Sequence, residues 1–211
     1  MTHPSPTPLR VLHAVRLLGY ADGADIAHQA AAGLDETVAT LREADRRGWV
    51  RLTAFAGDEG WSLTDTGRAE NERLLAVERG AADPSNEIAV VHREFLPLNA
   101  RLLRAVTDWQ LKPAGGDRLA PNDHDDPSWD HRVLDELGSL GDSLTPLIGR
   151  LAAVLTRFGG YDSRFRSALD RARAGRHGWV DGTGVDSCHR VWFQLHEDLV
   201  ATLGVDRGVP G

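Results

Sequence analysis

One stretch of strand-like patterning interrupts a chain whose apolar residues otherwise recur at helical spacing. WVRLTAF and WSLT, residues 49–55 and 61–64, flank AGDEG, whose two glycines and two acids predict a turn, so the segment reads as one β-hairpin. Ahead of it, Leu9, Leu12, Val15 and Leu18 predict a helix ending at Gly19. A short helix after Asp22 carries Ile26, Ala27 and Ala30 and breaks at Gly33. Leu34, Val38, Leu41 and Ala44 then step by four, three and three, with Asp35 as N-cap and Gly48 closing the helix behind Arg46 and Arg47. Beyond the hairpin, Thr64 caps a helix running through Ala69, Leu74 and Leu75 to about Arg79.

Helix, helix, helix, hairpin, helix is the order of a winged helix-turn-helix, assigned to residues 9–80 behind a proline-rich leader, 1–8, expected to be disordered. LREADRRGWVRL leading into the hairpin and GWSLTDTGRA leading out of it resemble the bacterial winged-helix regulators of the MarR type. That resemblance covers about a third of the chain and implies a transcriptional regulator that binds DNA as a homodimer. Thr37, Thr40, Arg42 and Arg46 would face DNA and Arg51 would lie near the wing.

After a boundary at ERGAADPSN the period stays helical, so residues 84–204 are expected to form an all-α bundle, followed by a tail, 205–211. Ile88, Val91, Phe95, Leu102, Val106 and Trp109 stripe one long helix that must stop before Pro113. A polar loop, 113–127, precedes a helix from Ser128 through Leu140, and Pro146 is expected to begin a separate helix to Phe158. Two more helices are expected, at about 162–174 and 186–203. The fold class is therefore mainly α. FLPLN, TDWQ, PNDHDDPSWD, RFGGYDSR and DSCHRVWFQLHEDLVATLG resemble the C-terminal part of bacterial proteins in which a helical domain follows a MarR-like winged helix.

Charge bears on the DNA reading. The 211 residues hold 24 Lys plus Arg against 31 Asp plus Glu, a net of −7, and residues 1–80 hold nine arginines against twelve acids, a net of −3. Asp35 and Glu36 open the expected recognition helix and Asp58 and Glu59 stand at the hairpin tip, where they would repel phosphates. All basic residues but Lys112 are arginine, a bias that G+C-rich coding explains. A lone cysteine, Cys188, permits no internal disulfide, and no secretory leader or membrane-spanning run is written, so a cytoplasmic protein without a membrane partner is expected.

Chemistry concentrates in the second half. On a helix over 186–203, Asp186, His189, Phe193 and His196 would form one stripe beside Trp192. Satisfied core histidines, a ligand or active-site pocket, and a metal site completed by another segment all remain open; no HExxH or cysteine-rich motif supports a metal. In an enzyme, His189 oriented by Asp186 would act as general acid or base, assisted by His196 or Glu197, while Asn99, Trp109, Tyr161, Arg164 and Trp192 would hold the substrate. Arg164 would suit a carboxylate or phosphate on that small molecule. His92, Asp108, Asn122 and His124 complete the expected ligand-binding set. No cofactor is expected, since no dinucleotide fingerprint or phosphate cradle occurs. Two functions stay open: a regulator sensing a small molecule in its helical domain, and an enzyme or accessory protein that has lost DNA binding.

Overall fold

A computed structural model describes residues 2–55, 58–113, 116, 117 and 119–205. Its elements in chain order are α1 (Thr7–Leu18), α2 (Gly23–Gln29), α3 (Leu34–Arg46), β1 (Val50–Phe55), β2 (Asp58–Leu63), α4 (Asp65–Ala82), α5 (Glu87–Gln110), α6 (Pro127–Val154), a 3-10 turn at Thr156–Phe158, α7 (Tyr161–Arg173), α8 (Gly178–Asp181) and α9 (Cys188–Leu203). The chain is mainly helical with one two-stranded antiparallel hairpin. No described helix is long and apolar enough to cross a membrane. Met1, Ala56 and Gly57 of the expected turn, Ala114, Gly115 and Arg118 of the expected loop, and 206–211 of the expected tail lie outside the described residues.

Contacts divide the chain into two units. One comprises the residues up to Ser85, with Val154–Arg157 and the chain from His196 onward; the other comprises Asn86–Ala153 and Phe158–Leu195. The sequence reading kept 84–204 together because the helical period of DSCHRVWFQLHEDLVATL runs on unbroken, yet the two halves of α9 belong to different units.

In the first unit Val11, Leu12, Val15, Ile26, Leu41 and Val50 form a core against which Trp49, Trp61 and Leu63 pack. The side chain of Asp22 caps α2, accepting from the amides of Ala24 at 2.9 Å and Asp25 at 2.8 Å. Gly33, rather than Asp35, holds the N-cap position of α3, so Asp35 sits inside the first turn. The expected leader is placed from residue 2: His3 donates to the Val154 carbonyl at 3.0 Å, Ser5 is buried, and Pro8 lies in the first turn of α1, where a missing amide costs nothing.

The hairpin is longer than its turn signal suggests. Phe55 pairs with Asp58 and Ala54 with Glu59, so Asp58, Glu59 and Gly60 are strand residues. Gly60 has no room for a side chain, because an added Cβ would lie 2.3 Å from the Tyr20 ring, whose hydroxyl donates to the Thr53 carbonyl. Thr64 then locks the hairpin exit to α4: its hydroxyl donates to the Gly48 carbonyl at 2.5 Å and accepts from the Gly67 amide at 3.0 Å. Gly67 itself lies under the Trp49 carbonyl, 1.7 Å from where a Cβ would be.

In the second unit Phe95, Leu102, Leu137, Leu140, Leu144, Phe165 and Trp192 are fully buried. Pro146 does not begin a helix. α6 runs through it for 28 residues, because Leu144, Leu147, Ile148 and Leu151 stay on one buried stripe while the carbonyl that proline leaves without a donor belongs to solvent-exposed Asp142.

A buried ionic network joins α1, α4, the 3-10 turn and α9 within the first unit. The Arg157 guanidinium, 6% exposed, donates to Glu78 at 3.1 Å, to Asp198 and to the Thr202 hydroxyl at 2.6 Å. His13 Nε2 donates to the same Asp198 oxygen at 3.0 Å, and its Nδ1 faces Asn71 Oδ1 at 3.4 Å. Burial raises the Asp198 pKa, but the charges of Arg157 and His13 outweigh it and hold the carboxyl down at about 2. A folded-state pKa below the unfolded value stabilises the fold at pH above about 4, and that stabilisation disappears as pH falls toward 2. Asp198→Asn is expected to cost about 3–5 kcal/mol at neutral pH by leaving Arg157 half-compensated, and to flatten the stability profile between about pH 4 and 2. Urea titrations across pH test this; a loss under ~1 kcal/mol would show that the network does not hold the unit together.

Candidate functional site

A polar cluster of the second unit forms where α5 ends and α6 begins. Pro113 stops α5, and the loop folds back along its end: the backbone amide of Lys112 donates to the Ala120 carbonyl at 2.9 Å and that of Asn122 to the Gln110 carbonyl at 2.8 Å. Asp126 starts α6, accepting from the Ser128 amide at 3.0 Å and hydroxyl at 2.6 Å and pairing with Lys112 at 3.1 Å; the hydroxyl, then the lysine, hold its pKa well below the usual carboxylate range. His124, at φ +62, turns its ring inward.

That ring lies 4.5 Å from the Trp109 ring and 4.4 Å from the His177 ring, centroid to centroid. Asn122 Nδ2 donates to the Trp109 carbonyl at 3.0 Å and to Asp130 Oδ1 at 2.9 Å, while His124 Nδ1 meets Asp130 Oδ2 at 2.9 Å. A carboxylate only accepts, so Nδ1 carries the proton and Nε2 is the nitrogen left to exchange one. Asp130 is buried and His124 is 22% exposed, so a fixed imidazole reaches solvent from a held carboxylate. An imidazole held in this way has the geometry that general acid or base chemistry uses, with Nε2 as the exchanging atom. Gln110 closes one side by donating to Asp181 at 2.7 Å, and Trp129 donates its indole N–H to the Asp108 carbonyl at 2.6 Å.

The cluster gathers Asp108, Trp109, Asn122 and His124 from the expected set; the others lie elsewhere. Asp186 is not on α9 but in the turn before it, where Arg164 grips both its oxygens at 2.8 and 2.7 Å. The carboxylate expected to orient His189 is thus spent on Arg164, and no hydrogen bond joins it to His189, which is half-buried. Arg164 in turn donates to Gln194 Oε1 at 2.5 Å as well as to Asp186. Burial works against the Arg164 charge, but the Asp186 hydrogen bond and charge raise its pKa overall. Tyr161 is buried beneath that guanidinium. Trp192 is a core side chain, stacked on Phe95 at 4.9 Å and donating to Asn99 Oδ1 at 3.1 Å. Burial, then the charge of Arg93, lowers the pKa of half-buried His92.

His196 and Glu197 belong to the first unit, where Glu197 accepts from Arg16 at 2.8 Å. Among the described residues no group of three or more His, Cys, Asp or Glu is disposed to hold a metal ion. Cys188 is buried, and burial pushes its thiol up to about 12, which leaves it protonated at neutral pH.

Of the residues expected to face DNA, Thr37 is buried at 0% exposure and cannot do so: it sits on the core side of α3. Thr40 is half-buried, donates to the Glu36 carbonyl at 2.8 Å and lines a cavity of about 570 Å³ with Leu12, Trp49 and Leu74. Arg42, Arg46 and Arg51 are exposed, and Arg46 pairs with Glu43 at 2.5 Å.

Sequence reasoning missed Asp130 and His177 as partners of His124, and the whole His13–Asp198–Arg157–Glu78 network. The available signal was polar residues on apolar stripes, His13 in VLHAV and Asp198 in HEDLV, since such groups need partners when buried. Asn122→Ala is expected to destabilise the second unit by about 1–3 kcal/mol, because the Trp109 carbonyl and Asp130 lose a shared donor. Denaturant unfolding followed by near-UV circular dichroism checks it; a cost within ~0.5 kcal/mol would mean the loop is not anchored there. Comparison of the chain with family models, with curated proteins and with solved structures returned no match.

Proposed function

We propose that residues 7–82 form a winged helix-turn-helix and that the chain is a ligand-responsive transcriptional regulator, dimeric on DNA, whose second unit senses a small molecule. The observation that carries this reading is α3: it follows the short α2, precedes the hairpin and exposes Ala39, Arg42 and Arg46 on one face. With Thr37 buried, the contacts reduce to Arg42 and Arg46 on α3 and Arg51 on β1. The Glu43 pairing of Arg46 is no obstacle, since an ion pair this exposed is weak and re-forms with phosphate. Asp35 and Glu36 at the start of α3 are exposed and oppose phosphate, so binding is expected to be modest and sequence-restricted.

A mobility-shift assay on the DNA upstream of the protein's own gene, at about 50 and 200 mM salt, tests the reading. With few phosphate contacts the affinity should fall with salt at a shallow slope, about one unit per contact, and Arg42→Ala should reduce that slope by about one per subunit. Absence of a shift at the lower salt would eliminate DNA binding.

A second reading, acid–base catalysis, is favoured by one observation: Asp130 holds His124 Nδ1 and leaves Nε2 at the surface of an aromatic cluster. It transfers the enzymatic role from His189 to His124. His124→Gln, which keeps the bulk and a hydrogen-bonding group, should abolish any turnover of candidate metabolites by ~100-fold or more; turnover retained by this variant rejects catalysis at His124.

A further inference from the structure

A second polar feature of the helical unit lies between α5 and α6: a cleft of about 210 Å³ lined by Arg101, Arg104 and Arg132 together with buried Ala105 and Val133, with the bonded pair Trp129 and Asp108 also in its wall. Three guanidinium groups share this small space with two carboxylates, Glu136 and Asp108, so the cleft carries a net positive charge on a protein of net −7. Arg101 is held rigidly. Its Nε and Nη2 donate to the two oxygens of Glu136 at 2.8 and 3.1 Å, Nη2 also reaches the Ser139 hydroxyl at 3.2 Å, and Nη1 takes part in none of these bonds. Arg132 is held too, its guanidinium 4.9 Å above the Trp129 ring and its Nη1 on the Ser128 carbonyl at 3.2 Å. Arg104 makes no ion pair of 4.0 Å or less among the described residues. It is still near enough to Glu136 to help Arg101, the main cause, keep that carboxyl below its usual range.

We propose that this cleft is a binding site for a phosphate-type oxyanion, seated between Arg104 and Arg132 with Arg101 Nη1 as a third donor. Two of the three cations are positioned in advance by Glu136, Ser128 and Trp129, so binding orders little beyond Arg104. Three donors arriving from two helices suit the separate oxygens of a tetrahedral anion, whereas a planar carboxylate is fully served by a single guanidinium fork. The remaining positive charge draws the anion in, and Ala105 and Val133 give the cleft an apolar part of its wall. The ligand class is therefore a small phosphorylated metabolite or free phosphate. The site shares a unit with the sensing role proposed above, but its test involves no DNA, so either can fail alone.

The test is calorimetric titration of the full chain with inorganic phosphate at constant ionic strength, with acetate and methyl phosphate as separate arms. Saturable one-to-one binding of phosphate is expected, weakened about tenfold or more by Arg104→Ala and by Arg132→Ala and unchanged by Arg166→Ala, which lines a different groove. Both cleft arginines are exposed, so the variants should fold, and circular dichroism verifies it. Methyl phosphate binding as tightly as phosphate identifies an ester ligand, and weaker binding identifies the free anion. No saturable binding, equal binding by the Arg104 and Arg132 variants, or acetate binding as tightly as phosphate each overturns the proposal.

Discussion

Burial of the Arg157 guanidinium sets the terms for the first unit. Removing a permanent cation from water costs several kcal/mol, and it is tolerated only when surrounding groups accept its protons. Here the acceptors come from two separate elements, Glu78 on α4 and Asp198 and Thr202 on α9, and a third, α1, brings His13 to donate to the shared carboxylate. None of these residues is near another in sequence except the α9 pair. The network therefore specifies which helices must meet, in a way that apolar contacts between Leu9, Leu75 and Ala201 would not, because leucines tolerate sliding and a fork of hydrogen bonds does not. It is also incompletely satisfied. Glu78 Oε1 and Asn71 Nδ2 are buried without a hydrogen-bond partner among the described residues, so α4 contributes polar groups that oppose burial as well as the carboxylate that supports it.

The fold was legible where periodicity and capping agree. The Thr64 cap and the hairpin could be read from spacing alone, because each depends on residues close in sequence, whereas the α3 stripe was only partly right: Leu34 is exposed, Val38 is half-buried, and Thr37 joins Leu41 and Ala44 in the core. Pro146 misled, since a local rule for helix breaking lost to a buried stripe that continues along a 28-residue helix. Asp35 misled for a related reason: it has the right chemistry for a cap but lies two positions too late. GWSLTDTGRA carried more than was taken from it. Two of its glycines are fixed by close approach, Gly60 beneath Tyr20 and Gly67 beneath the Trp49 carbonyl, so the conspicuous part of that motif concerns how a hairpin meets a helix and says nothing of DNA.

The candidate site was only half legible. The loop containing Asn122 and His124 stood out by composition, but its acid partner, Asp130, is the fourth residue of α6 and reads as an ordinary first-turn carboxylate. Asp186 failed in the opposite sense. A perfect spacing to His189 and His196 counts only if the helix begins early enough, and α9 begins at Cys188. The deciding interaction, the two bonds to Arg164 from 22 residues upstream, is long-range and has no pattern in the sequence.

The division of α9 between the two units bears on modularity. A gene segment ending at residue 85 would encode every helix of the N-terminal half and its hairpin, yet it would lack Arg157 and Asp198. Such a fragment keeps His13 and Glu78 in positions built for burial without the Asp198 and Arg157 that pair with them. The N-terminal half is thus not a cassette that recombination can move from one protein to another by a single cut; any exchange must bring Arg157 and the last turns of α9 with it.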